Sequence, residues 1–351
     1  MTRRPALILG IETTCDETAA AVVEDGRLVR SSVVRTQIDL HQKFGGVVPE
    51  IASRAHLECL DAIIAEALER AGVKGPDLDA VAVAHAPGLI GCLLVGLSTA
   101  KALAFAWNKP LIGVNHVQAH LYSVMLDDAP PHDGAPSPAP ALPAVGLVIS
   151  GGHSSLYHVR AFDDLKRIGS THDDAVGEAF DKVAAILQLG YPGGPLIDAL
   201  AKQGDENAIR FPLSLLEKGS LDFSFSGIKT SVLYHVNGKQ GRERDATSLS
   251  IRQKADVGAS FQRAAAEMLI EKLRRAAGQY ETHSLIIGGG VSANSAIRGR
   301  VMELGRELGL PVFIPPMPFC TDNAAMIAGL AYPLLLAGKV ADLSLDAVAT
   351  V

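Results

Sequence analysis

Apolar positions along this chain fall into short runs, each broken by a polar or glycine-bearing turn, and the runs alternate with longer stretches at helical spacing. Ala6 to Ile11 is apolar and ends on Glu12, Thr13 to Thr18 is polar, Ala19 to Val23 is apolar again, and Asp25-Gly26 marks the next turn. This pattern predicts a hairpin whose tip carries Thr13, Thr14, Asp16 and Glu17. His41 to Pro49, with Gly45-Gly46, reads as a loop. Ile51 to Ala71 has Ile51, Ala55, Ile63 and Ala67 at helical spacing and is stopped by Gly72, so it predicts a helix, with His56 inside it. A buried-type strand over Ala80 to Ala84 leads to the glycine-punctuated turn Pro87 to Gly91. A helix over Leu93 to Trp107, a strand over Pro110 to Val114 and a helix bearing Asn115-His116-Val117-Gln118-Ala119-His120 follow.

Asp127 to Pro143 is rich in Pro, Ala, Gly and Asp and is the clearest compositional break, which predicts a linker without a functional role. The second half opens as the first did: a strand over Ala144 to Ile149, a turn over Ser150 to Ser154 and a strand over Ser155 to Val159. The repeated strand–polar turn–strand unit suggests an internal duplication. Asp173 reads as the N-cap of a helix running past Asp181 to Leu187, and Tyr191 to Pro195 as a tight turn before the helix that bears Asp198. Asp222 to Lys229 is a polar, glycine-bearing segment. Gly258 to Ala277 is an amphipathic helix with Phe261, Ala265, Met268, Leu269 and Ala276 on one face. A strand over Ser284 to Ile287 runs into Gly288 to Asn294 and a helix from Ser295. A strand over Pro311 to Ile314 runs into prolines and a helix that starts near Cys320 to Asn323 and reaches Leu336. The expected organisation is an N-terminal lobe over 1–126, a linker over 127–143, a second, nucleotide-binding lobe over 144–314, and a segment over 315–351 that returns to the cleft and the first lobe.

Composition narrows the class. The chain has 351 residues, 48% hydrophobic and only 5% aromatic, with 34 glycines, which reads as an α/β protein with many strand–turn–helix transitions. No uninterrupted apolar run reaches the roughly 20 residues of a membrane span. The apolar start is too short for a signal segment, and the expected location is the cytoplasm. Cys15, Cys59, Cys92 and Cys320 form no Cys-x-x-Cys pair, which fits a reducing compartment. A net charge of −6 argues against broad, unaided nucleic-acid binding and leaves room for a local basic patch or a partner that supplies one.

Several patterns carry chemistry. His116 and His120, four apart, share one helix face and suit two imidazoles on one metal ion, although a packed structural pair gives the same spacing. Asp322 reads as a helix N-cap or as a further metal ligand. The hairpin tip reads as a solvated turn or as a loop facing phosphate and metal, and His56 as structural or substrate-facing. Ser150-Gly151-Gly152, Gly193-Gly194 and Gly288 to Gly290 are turns where backbone N–H groups can approach a phosphate. With Asn294 and Asp198 to bond a ribose or base, they favour a nucleotide cleft. No G-x-x-x-x-G-K-[ST] is present, the strand after Gly288-x-Gly290-x-x-Ala293 ends in prolines rather than an acidic ribose ligand, and Val117 stands where a His-Glu-x-x-His protease places its base.

Taken together, His116 to His120, Ile149 to His153, Gly177 to Asp181, Tyr191 to Gly194, Phe225 to Lys229 and Gly289 to Asn294 resemble the tRNA threonylcarbamoyladenosine synthesis family, and within it the bacterial threonylcarbamoyl-transferring subunit. Gly10 to Thr18 is similar to its N-terminal signature. The resemblance covers nearly the whole chain and departs from it at Asp127 to Pro143, an insertion at the lobe junction. It implies a two-lobed actin/hsp70/sugar-kinase-like fold, with duplicated lobes and the active-site cleft between them. It implies transfer of threonylcarbamoyl from threonylcarbamoyl-adenylate to N6 of adenosine 37, in tRNAs reading codons that begin with A, with release of AMP. It implies one metal on His116, His120 and Asp322, iron(II) in the usual assignment with zinc as the alternative, and an adenylate bound by Val148, Ile149, Ser150, Gly151, Gly152, Asp181, Gly194, Asp198 and Asn294. The implied partners are tRNA, a homologous non-catalytic subunit and a small P-loop ATPase, with a separate enzyme making the adenylate and no membrane.

The chemistry agrees with the resemblance. N6 is a weak nucleophile, so the carbonyl needs polarising and the attack geometry fixing. Asp16 is the expected general base for the N6 proton, with Glu17 assisting by hydrogen bonding. Two rivals stay open here: an ATP-dependent kinase or ATPase of the same fold, and a nucleotide-dependent scaffold without turnover. Magnesium prefers oxygen ligands to two imidazoles, so the histidine pair speaks against the first. Adenylate binding that survives loss of both histidines would speak for the second.

Overall fold

The computed structural model describes residues 4–129, 137–214, 216–238 and 245–350. Its strands are β1 (Leu7–Glu12), β2 (Glu17–Glu24), β3 (Leu28–Thr36), β4 (Ala80–Ala86), β5 (Leu111–Asn115), β6 (Ala144–Ile149), β7 (Ser154–Ala161), β8 (Asp164–Ser170), β9 (Leu285–Gly288) and β10 (Val312–Phe313). Its helices are α1 (Ile38–Gln42), α2 (Pro49–Ala71), α3 (Ile90–Trp107), α4 (His116–Tyr122), α5 (Val176–Ile186), α6 (Gly193–Ala201), α7 (Ser226–Asn237), α8 (Ile251–Gln279), α9 (Ser295–Leu308) and α10 (Ala324–Leu336). The chain forms two compact units. The first comprises Met1–Ala139, Ala161–Asp164 and Pro315–Val351, and the second Pro140–Arg160 and Leu165–Ile314. Residues 130–136, within the expected linker, lie outside the described residues.

The first unit is a five-stranded sheet in the order β3-β2-β1-β4-β5. The hairpin β1–β2 is antiparallel, while β4 and β5 run parallel to β1. Strands buried on both faces read as continuous apolar runs, which is why β1 and β4 lack alternation. Helices α2 and α3 cover one face (Leu60, Ile64 and Leu97 against Leu9, Ile11 and Val83), and α10 covers the other (Met326 and Ile327 against Ile8 and Ala82). Gly10 decides how closely α10 can lie: a Cβ there would stand 2.3 Å from the Ala324 carbonyl oxygen. The apolar helix α3 has the length and composition of a membrane span. Cys92, Leu93, Gly96, Leu97, Ala100 and Ala104, three to four residues apart, bury one of its faces, as a core helix does.

The second unit repeats the plan. Its order is β10-β9-β6-β7-β8, with β6–β7 antiparallel and β9 and β10 parallel to β6. Each sheet thus has an antiparallel hairpin first and two parallel strands added beyond its first strand, the duplication that the repeated sequence unit suggests. Helix α8 starts at Ile251, earlier than its apolar stripe, because Ser250 and Gln253 form a capping box. Asp173 does not cap α5, whose N-cap is Ala175. Its carboxylate instead accepts from Phe225 N (2.8 Å), Ser226 N (3.3 Å) and the hydroxyls of Ser224 and Ser226 (both 2.6 Å), at the start of α7.

Candidate functional site

In the first unit the candidate residues gather where strands end. Strand β1 ends on Glu12, and β5 ends on Asn115, the N-cap whose side chain accepts from Gln118 N and starts α4 at His116. Across from it, α10 is capped by Asn323, whose side chain accepts from Met326 N at 2.9 Å. The neighbouring Asp322 is therefore not the cap. Its Oδ1 lies 3.1 Å from His120 Nε2 and 3.6 Å from His116 Nε2, and the ligand atoms of the three residues all lie within 4.8 Å of one another. Two ligand atoms about 2.1 Å from one ion stand about 3.4 Å apart at a tetrahedral angle, which the two measured separations bracket.

The donor set fits a metal on a second count. His120 is fully buried, and neither of its ring nitrogens has a hydrogen-bond partner among the described residues; its Nε2 is close to Asp322 but not aligned for a hydrogen bond. Such an orphan is costly unless something else takes the lone pair. His116 is oriented from behind: Nδ1 lies 2.8 Å from Oε2 of the fully buried Glu12 and 3.3 Å from the Thr14 hydroxyl. A carboxylate there keeps the proton on Nδ1 and leaves Nε2 bare for a metal. Burial pulls the His116 imidazole down, but the Glu12 and Asp322 carboxylates outweigh it and push it up to about 9. Sequence reasoning missed Glu12; its one signal was a carboxylate closing an otherwise apolar strand.

Asp16, in the β1–β2 turn, and Glu17, the first residue of β2, lie beside this cluster. Burial, then the charges of Asp322 and Asp16, push the Glu17 carboxyl up to about 10, and burial followed by the same two charges raises the Cys15 thiol. Carboxylates crowded to this degree are relieved by a cation. Thr13 does not offer its hydroxyl to a ligand as expected, since it is buried and donates to the Cys92 carbonyl at 2.9 Å. His56 is buried behind the turn, with its Nε2 3.0 Å from the Cys15 carbonyl oxygen.

The expected adenylate residues lie in the second unit, again at strand ends. Val148 and Ile149 finish β6, and Ser150, Gly151 and Gly152 form the turn before β7. A Cβ on Gly151 or Gly152 would meet nothing within 4 Å, so the turn is open on that side. Gly177 is the opposite case. Its added Cβ would stand 2.5 Å from the Ser150 carbonyl oxygen, so glycine is what lets the N-terminus of α5 touch this turn. Asp181 Oδ1 accepts from Gly193 N at 2.7 Å, and Gly194 lies inside the first turn of α6 with open space at its Cβ. Asp198 accepts from the Ser295 hydroxyl at 2.8 Å. Asn294 caps α9 through its oxygen and donates to Gln262 at 2.7 Å, so the fold uses most of its amide.

These features define a class first: a duplicated α/β protein of the actin, hsp70 and sugar-kinase type with a two-histidine, one-carboxylate cluster in one unit. Solved structures share the fold. Full-length HypF in its phosphate- and nucleotide-bound form is 15% identical with a TM-score of 0.59, over 94% of this chain and 56% of that one. Component A of the (R)-2-hydroxyglutaryl-CoA dehydratase of Acidaminococcus fermentans is 16% identical with a TM-score of 0.51, over 93% and 98%. Sequence comparison is more specific. The profile of the tRNA N6-adenosine threonylcarbamoyltransferases matches residues 28–329. Curated proteins of that name are 51% identical in Anaeromyxobacter dehalogenans (strain 2CP-C), over 97% of both chains, and 49% identical in Moorella thermoacetica, over 97% of this chain and 95% of that one. The chain belongs to the tRNA N6-adenosine threonylcarbamoyltransferase family and is a tRNA-modifying transferase.

Proposed function

We propose that the chain transfers the threonylcarbamoyl group from L-threonylcarbamoyl-adenylate to N6 of adenosine 37 in tRNAs reading codons that begin with A, releasing AMP, in the cytoplasm. The observation that carries this reading is the convergence of His116, His120 and Asp322, with Glu12 behind His116, in a member of this family. The three residues would hold one divalent metal, iron(II) as the first choice and zinc as the second, both of which accept imidazole nitrogen. Bound there, the metal supplies Lewis-acid polarisation and a template for phosphate or carbamoyl oxygens. Asp16 takes the N6 proton as the N6–carbon bond forms and the carbon–oxygen bond to AMP breaks. Glu17 assists by hydrogen-bonding Asp16. Val148 to Gly152, Asp181, Gly194, Asp198 and Asn294 bind the adenylate, with the open turn at Gly151 and Gly152 giving its phosphate room.

A homologous non-catalytic subunit and a small P-loop ATPase complete the system, and a separate enzyme makes the adenylate. Large apolar side chains left exposed on α2 and α3, among them Leu57 and Phe105, support a protein partner on the first unit. The test is reconstituted transfer with purified chain, partner proteins, synthetic threonylcarbamoyl-adenylate and tRNA, with nucleosides read by mass spectrometry. Modified adenosine that disappears in His116→Ala and Asp322→Ala is the expected result. ATP hydrolysis or phosphorylation of a small molecule without tRNA modification would replace the reading with a kinase.

A further inference from the structure

Behind the β1–β2 turn lies a chain of buried hydrogen bonds that the chemistry above does not use. The Cys15 carbonyl oxygen, 3.0 Å from His56 Nε2, can only accept, so His56 carries its proton on Nε2. Burial lowers the His56 pKa and keeps the ring neutral, so Nδ1 is the acceptor. Thr18 then donates its hydroxyl to His56 Nδ1 at 2.7 Å, and Gln37 Nε2 lies 3.3 Å from the same atom. Gln37 Oε1 takes the Nε2 proton of His41 at 3.1 Å, and Val48 N donates to His41 Nδ1 at 3.3 Å. The donors thus point one way, from the loop before α2 toward the turn. Gln37 closes the set with its backbone N–H, which donates to the Asp16 carbonyl at 2.9 Å. His41, His56, Gln37 and Thr18 are each at most 3% exposed.

We propose that His56 is a positioning residue for the transfer: with Gln37 it clamps two consecutive carbonyls, Cys15 and Asp16, and so fixes where the Asp16 carboxylate stands. The proposal rests on the reading of Asp16 as the general base. Asp16 ends a turn with no regular secondary structure of its own; Thr14 N to Glu12 Oε1 and Leu89 N to the Thr14 carbonyl hold its first half, and these two carbonyl contacts hold its second. A carboxylate displaced by about 1 Å costs on the order of 100-fold in rate while leaving binding groups in place.

The test compares His56→Asn with His56→Gln. Asparagine keeps an amide near the Thr18 hydroxyl but is too short to reach Cys15; glutamine carries an N–H out to the Nε2 position. In the reconstituted transfer assay, His56→Asn is expected to lower kcat about 100-fold with KM for tRNA and adenylate within about twofold. Bound metal should be unchanged, and hydrogen exchange should quicken in peptides spanning 12–18. His56→Gln should regain most of kcat and the slow exchange. Asp16→Asn runs beside them. If Asp16→Asn keeps full kcat, the base assignment is lost whatever His56 does. If Asp16→Asn is inactive while His56→Asn stays within about threefold of the parent, the positioning proposal alone is overturned. Equal losses in both His56 variants with metal lost would make His56 a general support of the fold, and would overturn it too.

Discussion

The most consequential side chain beside the metal cluster is Glu12, because it sets which nitrogen of His116 carries the proton. Glu12→Gln keeps the shape and the acceptor for Thr14 N, which now bonds Oε1 at 2.6 Å. It replaces Oε2 by an NH2, a donor facing Nδ1. Nδ1 must then be bare, the proton moves to Nε2, and the lone pair meant for the metal is lost. Loss of an outer partner of this kind costs about 10- to 100-fold in metal affinity. Zinc titration against a competing chelator should show that drop in Glu12→Gln with folding intact; unchanged affinity would mean that His116 binds through Nδ1 or not at all. Residue-level roles were unevenly legible in sequence. The spacing of His116 and His120 announces a shared face, but whether Asp322 or Asn323 caps α10 depends on which side chain reaches Met326 N, and no local pattern separates them. Glu12 was legible only as an oddity, since its partner lies 104 residues away.

At the level of elements, the strands and helices that are buried and capped locally are the ones that sequence pattern shows. Edge strands β3 and β8 escape it because each has one neighbour in its sheet and keeps polar residues such as Arg30 and Lys166. Helix α7 escapes it because its cap is Asp173, more than 50 residues earlier. That cap is a testable joint. Partial burial raises the Asp173 carboxyl, but hydrogen bonds from Ser224, Ser226 and the Phe225 N–H together outweigh it and hold the group below the usual carboxylate range. A depressed native pKa contributes stability above the unfolded value of about 3.9 and loses it as pH falls through the native value. Asp173→Asn should therefore lower stability at pH 7 by urea unfolding, by no more than about 1 kcal/mol because the carboxylate is largely exposed and screened, and the gap to the parent should close as pH falls through the depressed native value. A gap that persists there would assign the loss to packing. The turn after β6 offers a second contrast. Gly151→Ala has open space and should leave Tm within about 1–2 °C of the parent, while Gly177→Ala drives a methyl into Ser150 and should lower it by several degrees. If the open side of Gly151 receives the adenylate phosphate, Gly151→Ala should weaken AMP binding by calorimetry despite its unchanged Tm.

For the molecule as a whole, the duplication puts the candidate residues at strand ends in both units, after the first strand and after one of the two parallel strands: the outer one, β5, in the first unit and the inner one, β9, in the second. In the first unit those ends carry Glu12 and His116, and in the second the Ser150–Gly152 and Gly288–Gly290 turns. Side chains with metal-ligand chemistry occupy the one and glycine-bearing turns the other, so the same plan repeated presents two kinds of chemistry. Helices α2 and α3 hold a different kind of surplus. Leu57 is 72% exposed and Phe105 76%, with Ile90 and Leu94 about half exposed on α3, whose opposite face is core. A monomer gains nothing from keeping side chains of that size in water, and charged replacements there should change folding stability by no more than about 0.5 kcal/mol. At the centre of a protein–protein interface the same replacements would leave a buried, unpaired carboxylate, which costs several kcal/mol. If the homologous subunit proposed above docks on these helices, the double variant Leu57→Glu/Phe105→Glu should keep its Tm and metal content yet fail to co-elute with that subunit in size-exclusion chromatography, and tRNA modification should fall with it. Co-elution at parental strength would free this face from the partner and place the subunit contact elsewhere on the chain.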